Sequence, residues 1–336
     1  MVVDLEIIKQ KFEELTGCFP MAKVHYALKA NPGVPVVELL RDLGSSFDIA
    51  SIFELNRVLD TGVPPDRVSY GNTIKKAAHI KYAFEKGIRL FATDSKADLQ
   101  SIADNAPGSK IFVRILVEGG ETAEWPLSRK FGCHPDMAID LLVTAKQLGL
   151  VPHGISFHVG SQQKDIAVWD AALSKVKYMF DWMKLEEDIE LKMINMGGGF
   201  PANYISEVNP INVYAEEIRR YLHDDYGDNL PEIILEPGRS LVGESGVLVS
   251  EVVLISRKSR TDLNRWVYLD VGLFQGLMET MGESIKYPIY MEKLEGNPPT
   301  GTVVLAGPTC DSTDIMYENS NYQLPLNLAV GDRLYW

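Results

Sequence analysis

Short apolar runs recur through the first two-thirds of the chain: KVHYALK (23–29), SFDIA (46–50), VSYGN (68–72), RLFATD (89–94), KIFVRILV (110–117), GISFHV (154–159), LKMINM (191–196) and EIILE (232–236). Their length and their β-branched and aromatic content predict strands. Between them apolar residues fall at helical spacing, as in VPVVELLRDLG (34–44) and DMAIDLLVTAKQLGL (136–150). Eight strand-then-helix units in order predict a (β/α)8 barrel of the TIM type; a doubly wound open sheet is the alternative reading of the same pattern.

The helical rhythm stops after residue 240. SGVLVSEVVLISRKS (245–259), NRWVYLDVG (264–272), TGTVVLAGP (300–308) and AVGDRLYW (329–336) read as strands joined by Gly, Pro and Asn turns. The expected organisation is an α/β barrel over residues 1–240 and an all-β domain over 241–336. No low-complexity linker or fixed-period repeat interrupts it.

Composition narrows the function classes. The chain has 336 residues, 46% hydrophobic and 24% charged, an ordinary globular mixture. Its net charge of −13 is spread along the sequence, which argues against a nucleic-acid partner. The cysteines Cys18, Cys133 and Cys310 are odd in number and lack metal-ligand spacing, and no signal-peptide pattern is present. These features point to a reducing, cytoplasmic setting and to no bound metal. No apolar run approaches the roughly 20 residues of a membrane span.

In a barrel of this type the strand C-termini build the active face. Chemistry-bearing residues fall there in every unit but the fifth: Lys29, Asp48 with Glu54 following, Asn72, Asp94, His158 with Ser161 behind it, Gly197-Gly198-Gly199, and Glu236 with Arg239 in EPGR. Taken singly, each has an ordinary structural reading: a snorkelling lysine, a core histidine, a capping aspartate, a tight glycine turn. Their convergence on one face changes that. The loops after strands seven and eight hold the glycine triplet and Arg239, which suit a phosphate. A phosphate site, a lysine and a carboxylate together are the needs of pyridoxal 5′-phosphate (PLP). Lys29 then stands at a strand mouth to hold an aldehyde, and desolvation there is expected to free its amine.

The motifs YALKANP, FDIAS, FHVGSQ, GGGFP, EPGRSLVG and GPTCDSTD come in the order seen in fold-type III PLP-dependent decarboxylases, whose barrel is alanine-racemase-like. The chain closely resembles the ornithine/lysine decarboxylase branch over nearly its whole length. The resemblance implies that Lys29 carries the cofactor's aldehyde and that His158 stacks on its ring. It implies that Ser161, Gly197, Gly198, Gly199 and Arg239 hold its phosphate and that Glu236 pairs with its ring nitrogen, with Asp48 and Glu54 as acidic neighbours. It further implies an obligate homodimer in which Cys310 and Asp311 reach into the neighbouring subunit's site. There Cys310 supplies a proton after carbon dioxide leaves, and Asp311 meets the distal amine of a small cationic amino acid. The CDS sequence fits a plain distal ammonium, hence L-ornithine or L-lysine, where diaminopimelate decarboxylases carry CES. Glu283, in GLMETMGESIKYP, falls near an acidic substrate-binding position. Diaminopimelate or arginine decarboxylation, racemisation on the same fold, and a non-catalytic homologue are the alternatives.

The chain departs from the family's pattern in three places. Pro126 stands where some members have arginine, with Arg129 nearby as a candidate substitute. Both ends read as trimmed: the segment that normally opens the β domain and a closing GAYT-type motif are not found, and the final strand is expected to present an unpaired edge.

Overall fold

The computed structural model describes residues 1–118, 122–126 and 130–336. These form two compact units, one of Asp4–Ala202 with Val208–Ser245 and one of Met1–Val3, Asn203–Glu207 and Gly246–Trp336. The division is therefore not a single cut near residue 240. The first residues go with the second unit because β1 (Val2–Val3) pairs antiparallel with β10 (Gly246–Val247).

In the first unit, β2 (Ala22–Ala27), β3 (Ser46–Ile49), β4 (Val68–Tyr70), β5 (Leu90–Thr93), β6 (Lys110–Arg114), β7 (Val151–Ser156), β8 (Met193–Asn195) and β9 (Glu232–Leu235) form a closed barrel in chain order. Every pairing is parallel, and β2 closes on β9 with Ala22 opposite Ile233. Closure removes the doubly wound alternative. Helix α1 (Leu5–Cys18) precedes the barrel. Helices α2 (Val34–Asp42), α3 (Ile52–Asp60), α4 (Ala77–Glu85), α5 (Lys96–Asn105), α6 (Pro135–Gln147), α7 (Ala167–Leu185) and α8 (Ile211–Tyr226) are the crossovers, and the short α9 (Arg239–Val242) follows β9. Local sequence starts several of these helices. Ser51 and Ser95 accept the Glu54 and Asp98 N–H groups, satisfying donors that a helix N-terminus leaves open.

The strands stop earlier than their apolar runs. The run 110–117 leaves the barrel after Arg114, because Ile115 bridges Cys133 and is buried there. Phe157 and Val159, at the end of the 154–159 run, are buried beyond the last residue of β7. Hydrophobicity reports burial, and here the loops on the strand ends supply it.

Strand alternation explains where the polar groups stand. Ala92, Phe112, Met193 and Ile234 pack together as an apolar plug. Side chains two residues apart share a face of a strand. The residues two positions further on are Asp94, Arg114, Asn195 and Glu236. The barrel interior is thus apolar at mid-height and polar at the C-terminal mouth.

One buried ion pair braces that mouth. The Lys75 side chain is 0% exposed and Asp98 9%. Its ammonium donates to Asn72 O (2.8 Å), Ala92 O (2.7 Å) and Asp98 Oδ2 (2.9 Å), which uses all three donors. Asp98→Ala strands that charge and is expected to cost about 3–5 kcal/mol, read as a lower urea midpoint with unchanged slope. A loss under about 1 kcal/mol would mean that the pair behaves as an exposed one.

In the second unit β11 (Val249–Ser256), β12 (Arg265–Leu269), β13 (Thr300–Ala306), β14 (Ile315–Met316) and β16 (Arg333–Tyr335) lie in the order β14-β13-β12-β11-β16, and β15 (Gln323–Pro325) also pairs with β13. All contacts are antiparallel except β12–β13. Alternate residues Val267, Leu269, Val303, Leu305 and Leu334 enter the core beside Met316 and Tyr317. The edge expected at the final strand is partly covered. Tyr335 exchanges two backbone hydrogen bonds with Tyr290, at 2.8 and 2.9 Å. Among the described residues no helix is long and apolar enough to cross a membrane.

Candidate active site

Lys29 lies just past β2, in the 3-10 turn Leu28–Ala30, with Pro32 and Gly33 ending that turn before α2. It is exposed, so the desolvation expected from the sequence is not found: the apolar run buries Tyr26, Ala27 and Leu28 and releases the lysine at the mouth. Its charge acts on Asp48, His158 and Glu236, which places all three around it.

Asp48, on β3, has its Oδ1 sequestered with no hydrogen-bond partner. Burial, with the Glu236 and Glu54 carboxyls adding to it, pushes the Asp48 carboxyl well above the usual range despite Lys29 and Arg114. Gly71 makes room for it, since a Cβ at that position would lie 2.1 Å from Oδ1. Glu236, just past β9, accepts the Asn195 amide at Oε1 (2.5 Å), and Asn195 Oδ1 in turn accepts the Gly197 N–H (2.9 Å). Burial raises the Glu236 carboxyl too, against the Asn195 bond and the charges of Arg114 and Lys29. Burial likewise lowers Arg114, whose countercharges are Glu236, Asp48 and Asp94.

His158 is held in one tautomer. Its Nδ1 accepts the Gly160 N–H at 3.0 Å, so the proton of a neutral ring sits on Nε2. Burial, then the Arg114 and Lys29 charges, drive its pKa well below the usual value. The ring is therefore uncharged at neutral pH.

The other end of the site is built by the loops after β7, β8 and β9. Arg239 Nε donates to Ser161 Oγ at 3.0 Å. The glycine triplet has a packing reason beyond anion access. A Cβ at Gly197 would lie 2.4 Å from Phe157 O, at Gly198 2.5 Å from Glu236 O, and at Gly199 2.5 Å from Gly160 O. The three loops approach backbone to backbone, and only glycine admits that. Ser240 Oγ, on the first turn of α9, is buried without a partner.

These residues fit PLP. The site holds two costly buried carboxyls, one of which a cationic ring nitrogen would neutralise, an orphaned acceptor at Asp48 and an orphaned hydroxyl at Ser240 beside the Ser161–Arg239 pair.

Other strand-end candidates have structural work. Glu54 Oε2 accepts the Ala50 N–H (2.5 Å) at the start of α3. Asn72 joins Ala50 O to the Ile74 N–H, and Asp94 accepts the Gly132 N–H (2.8 Å). Arg129 lies outside the described residues.

The second unit carries Cys310 and Asp311 on an exposed loop. Asp311 Oδ1 accepts the Thr313 N–H and hydroxyl, at 2.9 and 2.8 Å. The loop is pinned from below by Asp314, 2% exposed, which accepts from Leu273 N (2.8 Å) and from Thr309 N and Oγ1 (3.2 and 2.7 Å). Glu283 accepts the Asn319 N–H (2.5 Å) and the Ser320 hydroxyl. Burial works to raise its carboxyl, but the Ser320, Asn319 and Lys286 groups outweigh it and hold the pKa low.

Sequence reasoning did not name Arg114, Asn195, Gly71 or Asp314. For Arg114 and Asn195 a signal was present, a polar residue inside an apolar run (KIFVRILV, LKMINM) in phase with the apolar interior positions. Gly71 and Asp314 are legible only in three dimensions.

Residues 5–243 match the family described as pyridoxal-dependent decarboxylase, pyridoxal binding domain. A lysine/ornithine decarboxylase of Selenomonas ruminantium is 31% identical over 336 residues, spanning 99% of this chain and 82% of the relative. The structure of a Vibrio vulnificus lysine/ornithine decarboxylase complexed with putrescine is 30% identical, with a TM-score of 0.85 over 99% of this chain and 86% of that one. The arginine decarboxylase of Paramecium bursaria Chlorella virus is 27% identical, with a TM-score of 0.89 over 99% of this chain and 88% of that one.

Proposed function

This chain belongs to the PLP-dependent decarboxylases of the ornithine/lysine branch, and from that premise we propose that it converts L-ornithine or L-lysine to putrescine or cadaverine. The observation that carries the reading is the gathering of Asp48, Arg114, His158 and the Asn195–Glu236 pair around Lys29, with Ser161–Arg239 at the next loops.

Bound PLP supplies a sink for the electron pair left when the substrate carboxylate departs as carbon dioxide. The protein's residues hold and bias that chemistry. The Lys29 amine anchors the aldehyde end. Ser161, Arg239 and the backbone at Gly197–Gly199 take the phosphate. Glu236 has Oε1 committed to Asn195, which leaves Oε2 to hold the proton of the ring nitrogen. His158, neutral and fixed by Gly160, offers an uncharged ring face. In the proposed homodimer, Cys310 from the partner chain returns a proton to the substrate carbon. Asp311 receives the distal ammonium there, with Glu283 as a second acidic group. The three cysteines are free thiols, which suits a reducing cytoplasm.

The test is product analysis with PLP and a panel of ornithine, lysine, arginine and diaminopimelate. Putrescine or cadaverine is the expected product. The fit to an arginine decarboxylase gives the second reading, and agmatine as the main product would select it. Borohydride reduction of the loaded enzyme followed by peptide mapping is expected to label Lys29; a label on Lys23 or Lys130 overturns the assignment.

A further inference from the structure

We propose that Gln162 is a positioning residue that sets the phosphate end of the site. It is fully buried, yet it adopts φ of 58°, a left-handed conformation that a non-glycine residue takes only when its surroundings impose it. Its side-chain amide imposes it. Nε2 donates to Ala202 O (2.8 Å) and Oε1 accepts the Ala202 N–H (2.7 Å), so one side chain clasps both backbone groups of a residue in the loop after β8. The next residue repeats the tie, with the Gln163 N–H donating to Gly199 O (2.9 Å) and Tyr214 Oη donating to Gln163 O (3.1 Å).

The residue before the clasp is Ser161. Its backbone exchanges two 3.1 Å hydrogen bonds with Trp125, and its hydroxyl accepts from Arg239. Ser161 is therefore held from one side by Trp125, and its exit direction is fixed by the left-handed turn at Gln162. The clasp also fixes the spacing between the Ser161 loop and the Gly197–Gly199 loop. Removing the amide leaves Ala202 with a buried donor and acceptor unpaired and frees the two loops to separate. This inference rests on the reading that Ser161, Arg239 and the glycine loop take the phosphate.

The experiment compares PLP with pyridoxal, which lacks the phosphate, by spectroscopic titration of wild type, Gln162→Met and Gln162→Glu. Methionine keeps the volume without the hydrogen bonds. Glutamate keeps the acceptor for Ala202 N–H and loses the donor to Ala202 O. The expected result is a loss of PLP affinity of about tenfold or more with pyridoxal affinity unchanged, so the preference for the phosphorylated form collapses. Equal losses for both ligands, or no loss for either, overturn the proposal. So does failure of both variants to fold, which makes Gln162 a core residue only. If wild type itself shows no preference for PLP over pyridoxal, the phosphate reading falls and this inference with it. A wild-type preference that the variants retain removes this inference alone.

Discussion

Glu236→Ala is expected to lower decarboxylation by about 10²–10³-fold while PLP remains attached through Lys29. The Glu236 carboxylate is held by a side-chain amide from a neighbouring strand, Asn195 on β8. That bond fixes Oε1 and orients Oε2, so the negative charge is placed before any cation arrives. The surroundings make the charge expensive, since burial raises the carboxyl's pKa even with Arg114 and Lys29 nearby. A protonated ring nitrogen beside it would relieve that cost, and by linkage the carboxylate would keep the nitrogen protonated. Glu236→Gln separates charge from shape. It can still accept from Asn195 but cannot hold the positive nitrogen, so its turnover is expected to fall as far as that of Glu236→Ala. Near-wild-type turnover of the glutamine variant, with PLP occupancy confirmed by its visible absorbance, would sink the role.

The same carboxyl gives a stability signature with a definite sign. A carboxyl whose folded pKa lies above its unfolded value contributes stability below the unfolded pKa and loses it as pH rises through the folded one. The cofactor-free protein is thus taxed by Glu236 at neutral pH, and Glu236→Gln is expected to melt at a higher temperature than wild type there. The two readouts move in opposite directions, lower activity with higher stability, as expected where a strained charge is kept for function.

How much of this was legible in the sequence depends on what each residue's signal was. The barrel was legible because parallel strands buried on both faces read as continuous apolar runs, and eight of them alternate with helical periods. The strand ends were overrun where loops also bury apolar groups, as at Ile115, Phe157 and Val159. Lys29, His158, Glu236 and Arg239 could be named as candidates because they end a run or sit in a motif. Their conditions were not. Lys29 is exposed where burial was expected, because the 3-10 turn after β2 swings it out of the ladder. The supports were the least visible. Lys75 looks like any surface lysine in TIKKAAHIK, and its burial depends on Asp98 a strand and a helix away. Gly71 is special only because Asp48 Oδ1 lies where its Cβ would be. Asp314 reads as the end of a motif, whereas in the fold it is the post under the Cys310 loop.

A mixture of Lys29→Ala chains with Cys310→Ala chains is expected to recover about a quarter of wild-type activity, although each variant alone has lost nearly all of it. Lys29→Ala removes the amine proposed to anchor the cofactor. Cys310→Ala removes the thiol proposed to return a proton to the substrate carbon, a general-acid contribution of about 10²–10⁴-fold. Cys310 suits a role away from its own chain. It is exposed, and its loop is made rigid by Asp314, whose oxygens hold Leu273 and Thr309, so the thiol is presented on a fixed tip. If each site in a two-fold dimer takes Lys29 from one chain and Cys310 from the other, random re-pairing makes about half the dimers mixed. Each mixed dimer has one site with both groups intact and one with neither, so about a quarter of all sites work. The measurement is decarboxylation across mixing ratios, with subunit exchange followed by a mass difference between the chains. The recovered rate should peak at equal amounts of the two variants. A mixture that exchanges subunits and stays inactive would show that each site is built from a single chain.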